Sequence, residues 1–205
     1  GPLFSDGYTR VIVSGLNALQ PKLPILSEES APEEFEDRRN WDSYWLVDPL
    51  DGTKEFVKRN GEFTVNIALI EEHRAVMGVV LAPDMDLEYA GALDLGAWKR
   101  VEGRPPEEIH TALSQTGPVR VVCSRSHPSG ALADYLQRLG PHELRPIGSS
   151  LKICLVADGQ ADFYPRLGLT SEWDTAAAQA ILESAGGSMM NPVGQALRYN
   201  TKDGL

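Results

Sequence analysis

The sequence predicts a mixed α+β/α/β fold: an antiparallel meander first, then alternating strands and helices. Three observations carry this. From Phe63 to Val101 short apolar runs with alternating residues are separated by tight turn signals, the pattern of neighbouring antiparallel strands. From Val119 onward, strand-like runs alternate with stretches of helical period. Glu172 to Ala185 reads EWDTAAAQAILESA, an Ala-rich helix stopped by Gly186-Gly187, where glycine supplies a natural C-terminal cap.

The individual elements follow in order. Arg10 to Leu19 has apolar positions spaced as on one face of a helix, and Pro21 and Pro24 end it. Pro24 to Ser27 is a short strand running into Glu28-Glu29. The acid-rich stretch from Glu28 to Asp42 reads as a solvated loop or short helix. Trp45 to Val47 is a strand expected to stop at Asp48. Lys58 to Gly61 is a turn, Phe63 to Glu71 a strand, Glu72-His73 a tight turn and Ala75 to Ala82 the hairpin partner. Asp86 to Ala92 and Gly96 to Val101 continue the meander. The polar, Pro- and Glu-rich residues 102–118 suggest a junction between an N-terminal half, 1–112, and a C-terminal half, 113–205. Strands are then expected at Val119 to Ser124, Leu144 to Ile147 and Ala161 to Pro165, with helices at Pro128 to Leu139 and Leu151 to Ala157.

Composition narrows the functional classes. The 205 residues, 42% of them hydrophobic, suffice for one sizeable core or two small ones. The net charge of −10, from 29 acidic against 19 basic residues, disfavours nucleic-acid polymers as partners. It permits a small anionic substrate if divalent cations reverse the local field. Cys123 and Cys154 sit in apolar neighbourhoods and read as reduced, buried thiols. The longest apolar runs, such as Val65 to Ile70, are far too short to span a bilayer, and no secretory signal is visible. The expectation is a cytoplasmic protein, with peripheral membrane attachment and oligomeric state left open.

The chemistry concentrates in Trp45-Leu46-Val47-Asp48-Pro49-Leu50-Asp51-Gly52-Thr53-Lys54-Glu55-Phe56. An apolar run delivers two carboxylates and a hydroxyl to one point. Carboxylates held that close stay ionised only with cations between them. Oxygen-only ligands favour Mg²⁺ over zinc. The metal-free alternative is an Asx-turn in which Asp51 and Thr53 bond local backbone. Glu28 also ends an apolar tripeptide, so strands ending side by side could bring it to Asp48. Asp174, in the first turn of the Ala-rich helix, is either a further ligand or an ordinary helix-dipole aspartate. Ser124-Arg125-Ser126-His127 and Gly148-Ser149-Ser150-Leu151-Lys152 each join a strand to a helix, where N–H groups can seat an anion. His127 and Lys152 taken singly read as surface side chains. Two such loops together read as a substrate wall.

The stretch Trp45 to Phe56 and the pentapeptide Trp173-Asp174-Thr175-Ala176-Ala177 resemble the two signature motifs of the inositol monophosphatase-like, Mg²⁺-dependent, lithium-sensitive phosphatases. Leu26 to Asn66, Ser124 to His127, Gly148 to Lys152 and Tyr164-Pro165-Arg166 are most similar to the bacterial 3′(2′),5′-bisphosphate nucleotidase branch. The resemblance implies a layered αβαβα sandwich of the sugar-phosphatase type, with the family's N-terminal helix and last strand missing from these residues. It implies two or three Mg²⁺ ions held by Glu28, Asp48, the Leu50 carbonyl, Asp51 and Asp174. It implies that Asp6 and Thr53 handle the proton of the attacking water. Asp51, Gly52, Thr53 and Lys54 would cradle the scissile phosphate, with Glu28 and Asp174 also facing the substrate. Ser124, His127, Gly148 and Lys152, and more weakly Arg166, would hold the nucleotide and its second phosphate. The implied reaction is removal of the 3′-phosphate of adenosine 3′,5′-bisphosphate, yielding AMP and phosphate, in sulfur metabolism. The alternatives are an inositol phosphate or fructose bisphosphate phosphatase of the same fold, or a non-catalytic nucleotide- or metal-binding relative.

Overall fold

Strand alternation in the first half sorts apolar side chains onto two faces of one sheet. In the computed structural model, which describes residues 2–30, 33–113, 117–125 and 130–205 (backbone only for 2–6), seven strands lie in sequence order. These are β1 (Ile25–Ser27), β2 (Ser43–Asp51), β3 (Thr64–Glu71), β4 (Arg74–Ala82), β5 (Leu87–Ala92), β6 (Gly96–Val101) and β7 (Glu107–Glu108). The β1–β2 pair is parallel and every later pair antiparallel. Tyr44, Leu46, Ala68 and Ile70 enter the larger core, while Trp45, Val47, Ile67 and Leu69 point to the opposite face. A helix covers each side. On one, α1 (Pro2–Asn17) packs Ile12 and Leu16 against Trp45 and Val47. On the other lie α5 (Leu151–Ala157) and α6 (Glu172–Ser184). Beyond them, β8 (Val119–Cys123) and β9 (His142–Pro146) pair in parallel. Between these two in sequence, α4 (Gly130–Leu139) stacks Tyr135 on Phe163. Helix, sheet, helices and second sheet therefore succeed one another as the expected layered sandwich.

The Ala-rich character of α6 has a packing cause. A Cβ at Gly78 of β4 would lie 2.0 Å from the Ala177 carbonyl oxygen, and one at Gly91 of β5 would lie 2.8 Å from the Ile181 Cα. Small residues on both partners bring helix backbone directly onto sheet backbone. The N-terminal turn of α6 is fixed from the far side. Arg38, fully buried after α2 (Phe35–Arg38) begins its short turn, donates to Asn200 Oδ1 and to the Asp203 carbonyl. The Asn200 N–H donates to Glu172 Oε2 at 2.8 Å.

Several sequence expectations need correction. The helix whose end is expected at residues 10–19 spans Pro2–Asn17: its earlier residues, which lack a clear apolar period, are helical as well, and it stops two residues before Leu19. Strand β2 does not stop at Asp48 but runs to Asp51. Its pairing passes from Asp48↔Asn66 to Asp51↔Thr64, three residue steps against two, so an extra residue bulges out. The missing N–H of Pro49 falls inside that irregularity, where no regular ladder bond is required. The strand expected at Ala161 to Pro165 reduces to a single bridge between Val121 and Phe163. The motif after Gly52 is a helix, α3 (Thr53–Lys58), which the sequence did not suggest.

Candidate metal centre and substrate cleft

The bulge in β2 determines where the two motif aspartates point. Asp48 is buried, and its Oδ1 accepts the Leu50 N–H at 2.9 Å. The local Asx-type bond foreseen for Asp51 is thus made by Asp48, with Leu50 buried beside it. Asp51 instead reaches across the molecule. Its Oδ2 accepts the Ser150 N–H and the Ser150 hydroxyl, both at 2.7 Å, with Asn66 Nδ2 and the Thr64 hydroxyl each at 3.4 Å. All these bonds fall on one oxygen. Asp174 takes the capping role as well as the site role: its Oδ2 accepts the Ser171 N–H at 3.0 Å and the Thr170 hydroxyl at 2.9 Å. The two readings of that aspartate are therefore compatible.

One oxygen from each of Asp48, Asp51 and Asp174 lies within 4.8 Å of the others. At that separation two carboxylate charges repel by about 3.5 kcal/mol for an effective dielectric of 20. Burial, followed by the charges of Asp51 and Glu28, pushes the Asp48 carboxyl up to about 10. Burial also raises Asp51, against the hydrogen bond from Ser150. Glu28 leaves the end of β1, where its N–H bonds the Val47 carbonyl. Its carboxyl is raised by burial, and it interacts directly with Asp48 and electrostatically with Asp174 and Asp51. Three converging carboxylates, two of them raised by burial, are the donor set a hard divalent cation satisfies. The cluster could hold a metal ion.

A cleft of about 1080 Å³ opens beside this cluster, lined by Asp51, Gly52, Lys54, Ser124, Gly148, Lys152, Arg166 and Asp174 among others. Thr53 is exposed at the start of α3, behind Gly52, whose φ of +87° turns the chain in the left-handed region. Lys152 is buried, donates to the Ser149 carbonyl at 2.8 Å and lies over the Tyr164 ring. Burial lowers its ammonium from the ordinary lysine range, against the pull of Asp51. Arg166 is exposed and bonds the Leu169 carbonyl at 2.6 Å. His127 lies outside the described residues, and Asp6 is described only as backbone on α1.

Sequence reasoning missed the residues that orient Asp51. Ser150 stands inside a quoted motif, and its hydroxyl also accepts from Asn66 Nδ2 at 2.8 Å and lies 3.0 Å from the Asp174 carbonyl. Thr64 and Asn66 are buried polar residues two apart on an otherwise apolar strand. That spacing puts both on one face of β3, and it was the available signal.

A layered sandwich with three aspartates meeting at the mouth of a cleft defines a metal-dependent sugar-phosphatase architecture. The chain belongs to the inositol monophosphatase family, whose model matches residues 6–205. It is 52% identical over 194 residues to the 3′(2′),5′-bisphosphate nucleotidase CysQ of Salmonella typhimurium, covering 94% of this chain and 76% of that protein. It is 50% identical to the protein of the same name from Escherichia coli strain K12, with the same coverage. The crystal structure of CysQ from Bacteroides thetaiotaomicron, described as a bacterial member of the inositol monophosphatase family, superposes with a TM-score of 0.86 at 42% identity, over 95% of this chain and 78% of that one. Mycobacterium tuberculosis SuhB superposes with a TM-score of 0.72 at 26% identity, over 94% and 77%. Among the described residues no helix is long and apolar enough to cross a membrane.

Proposed function

We propose that this chain hydrolyses the 3′-phosphate of adenosine 3′,5′-bisphosphate, giving AMP and inorganic phosphate. The observation that carries it is the meeting of Asp48 and Asp51 from the first half with Asp174 from the second, at a cleft walled by the loops 124–125 and 148–152. The names of relatives about 50% identical over most of the chain support the substrate class.

Glu28, Asp48, the Leu50 carbonyl, Asp51 and Asp174 would hold two or three Mg²⁺ ions. Bound there, Mg²⁺ supplies positive charge that offsets the carboxylates and polarises phosphoryl oxygens. The other roles belong to the chain. Ser150, Asn66 and Thr64 hold Asp51 through Oδ2 and so fix the position of its carboxylate. Gly52, Thr53 and Lys54 seat the scissile phosphate at the N-terminus of α3, with the Lys54 charge offsetting part of its negative charge. Asp6 and Thr53 take the proton from the water that attacks phosphorus. The bond from phosphorus to the 3′-oxygen breaks as the bond to the water oxygen forms, and the departing 3′-oxygen takes a proton from solvent water to become the hydroxyl of AMP. Lys152, Ser124, Gly148 and Arg166, with His127, hold the remainder of the nucleotide, with the Lys152 ammonium buried in that wall.

The test is phosphate release from adenosine 3′,5′-bisphosphate with Mg²⁺ and with a chelator, beside inositol monophosphate and fructose 1,6-bisphosphate. The expected order places the bisphosphate nucleotide first in kcat/KM and abolishes turnover on chelation. Faster hydrolysis of either rival substrate, or full activity in Asp51→Asn, overturns the assignment.

A further inference from the structure

Glu62 has no role in the chemistry above, yet it touches three of the segments that line the cleft: those carrying Gly52, Arg125 and Gly148. It follows Gly61 in the turn between α3 and β3, and its N–H is held by Asn60 Oδ1 at 3.0 Å. Its side chain is 11% exposed. Glu62 Oε2 accepts Arg125 Nε at 2.6 Å, and Oε1 accepts an Arg125 terminal nitrogen at 2.5 Å. Glu62 Oε2 also accepts the Gly148 N–H at 2.8 Å. One carboxylate therefore ties the loop after β8 to the loop before α5. The backbone of Glu62 completes the junction. Its carbonyl oxygen lies 2.7 Å from where a Cβ on Gly148 would stand and 3.4 Å from that of Gly52. Gly148 thus has no room for a side chain, and the motif loop carrying Gly52 is packed against the same atom.

Two forked, charge-assisted bonds are stronger and more directional than neutral ones, and the third, to backbone, ties them to the second loop although the Arg125 side chain is 47% exposed. They also commit the Arg125 fork to protein rather than to an incoming phosphate. We propose that Glu62 is a positioning residue for the nucleotide portion of the substrate, holding the 124–125 and 148–152 loops at a fixed separation through Arg125 and the Gly148 N–H. The substrate clause rests on the function proposed above. Asp51 reaches the same 148–152 loop through Ser150, but the Ser150 hydroxyl is also held by Asn66 Nδ2 at 2.8 Å and lies 3.0 Å from the Asp174 carbonyl. Losing the Glu62 strut should therefore act mainly on KM for the whole nucleotide and only weakly on the chemical step.

The experiment compares wild type, Glu62→Gln, Arg125→Gln and the double variant on adenosine 3′,5′-bisphosphate and on 4-nitrophenyl phosphate, which has neither nucleoside nor second phosphate. Hydrogen exchange at the Gly148 to Ser150 amides is followed in the same samples. Glu62→Gln is expected to raise KM for the bisphosphate about tenfold or more, with kcat within about threefold and the small ester unchanged. Arg125→Gln should behave alike, and the double variant should be no worse than either single one. Gly148 exchange should quicken. A fall in KM on Glu62→Gln would mean that Arg125, once released, binds phosphate itself, and would overturn the strut. Equal losses on both substrates with a lowered Tm would reduce Glu62 to a stability role and likewise overturn it. A wild type that turns over only the small ester refutes the nucleotide function and the substrate clause with it. In that event quickened Gly148 exchange in Glu62→Gln still supports the strut, and unchanged exchange overturns that too.

Discussion

Gly78→Ala tests whether the metal cluster depends on how tightly α6 is seated. The added Cβ would meet three atoms of the Ala177 backbone: the oxygen at 2.0 Å, the carbonyl carbon at 2.7 Å and the Cα at 2.8 Å. Real Cβ atoms essentially never approach closer than 3.0 Å, so the gap must open by about 1 Å. No flexible side-chain tip is available to give way, because the obstacle is helix backbone. Gly91 holds the same helix one turn further on, at Ile181, so α6 would pivot rather than translate. Asp174 lies three residues before Ala177, on the end that swings. Overpacking of this kind costs about 1–3 kcal/mol, which for a chain of this size lowers Tm by about 2–12 °C. A misplacement of about 1 Å at a reacting centre costs about 100-fold in rate. Differential scanning fluorimetry and Mg²⁺-dependent phosphate release measure the two effects. Gly15→Ala is the control: its Cβ meets nothing within 4 Å in α1, so it should stabilise by up to about 1 kcal/mol and leave turnover alone. A Gly78→Ala protein with unchanged Tm and kcat/KM would refute the claim that α6 sits at contact distance and that this contact places Asp174.

Three further outcomes follow from the same contacts. Saturating Mg²⁺ at about 100 times its dissociation constant should stabilise the protein by about 2.7 kcal/mol, raising Tm by about 5–11 °C. Asp51→Asn should lose most of that shift in the same melt. Arg38→Met leaves Asn200 and the tail carbonyls without their buried donor, costing about 1–3 kcal/mol in a urea titration. Acid stability should depend on Asp162, whose carboxyl is held below the usual range first by its hydrogen bond from Arg120. A depressed carboxyl contributes stability above the unfolded value of about 3.9 and loses it as pH falls through the lower folded value. Urea midpoints should therefore drop below about pH 4 in wild type and vary less steeply there in Asp162→Asn.

Much of this was legible in the sequence because the signals are local. Strand alternation from Phe63 onward and the turn at Glu72-His73, both at positive φ, depend on neighbouring residues, and the helix at Leu151–Ala157 is where the period places it. The two aspartates of Asp48-Pro-Leu-Asp51 announced themselves by proximity, since charge repulsion between near neighbours needs no fold to be recognised. Asp174 was legible as a candidate, but its meeting with Asp51 required α6 to cross the sheet at Gly78 and Gly91, contacts made by chain segments about a hundred residues apart.

What the tertiary structure alone decided is what holds each carboxylate and through which oxygen. The bulge opposite Thr64 and Asn66 sends Asp48 to its own Leu50 N–H and Asp51 to Ser150, a choice set by register rather than residue type. Glu62 looks like one more surface acid in a turn sequence. Only the approach of Arg125 and Gly148 from the second half, where α5 packs on α6 and β8, makes it the joint between the loops. Sequence by itself determined the kind of chemistry, because like charges and periods are written residue by residue. Three-dimensional packing decided its geometry, because hydrogen bonds between distant segments are satisfied only after the layers have closed.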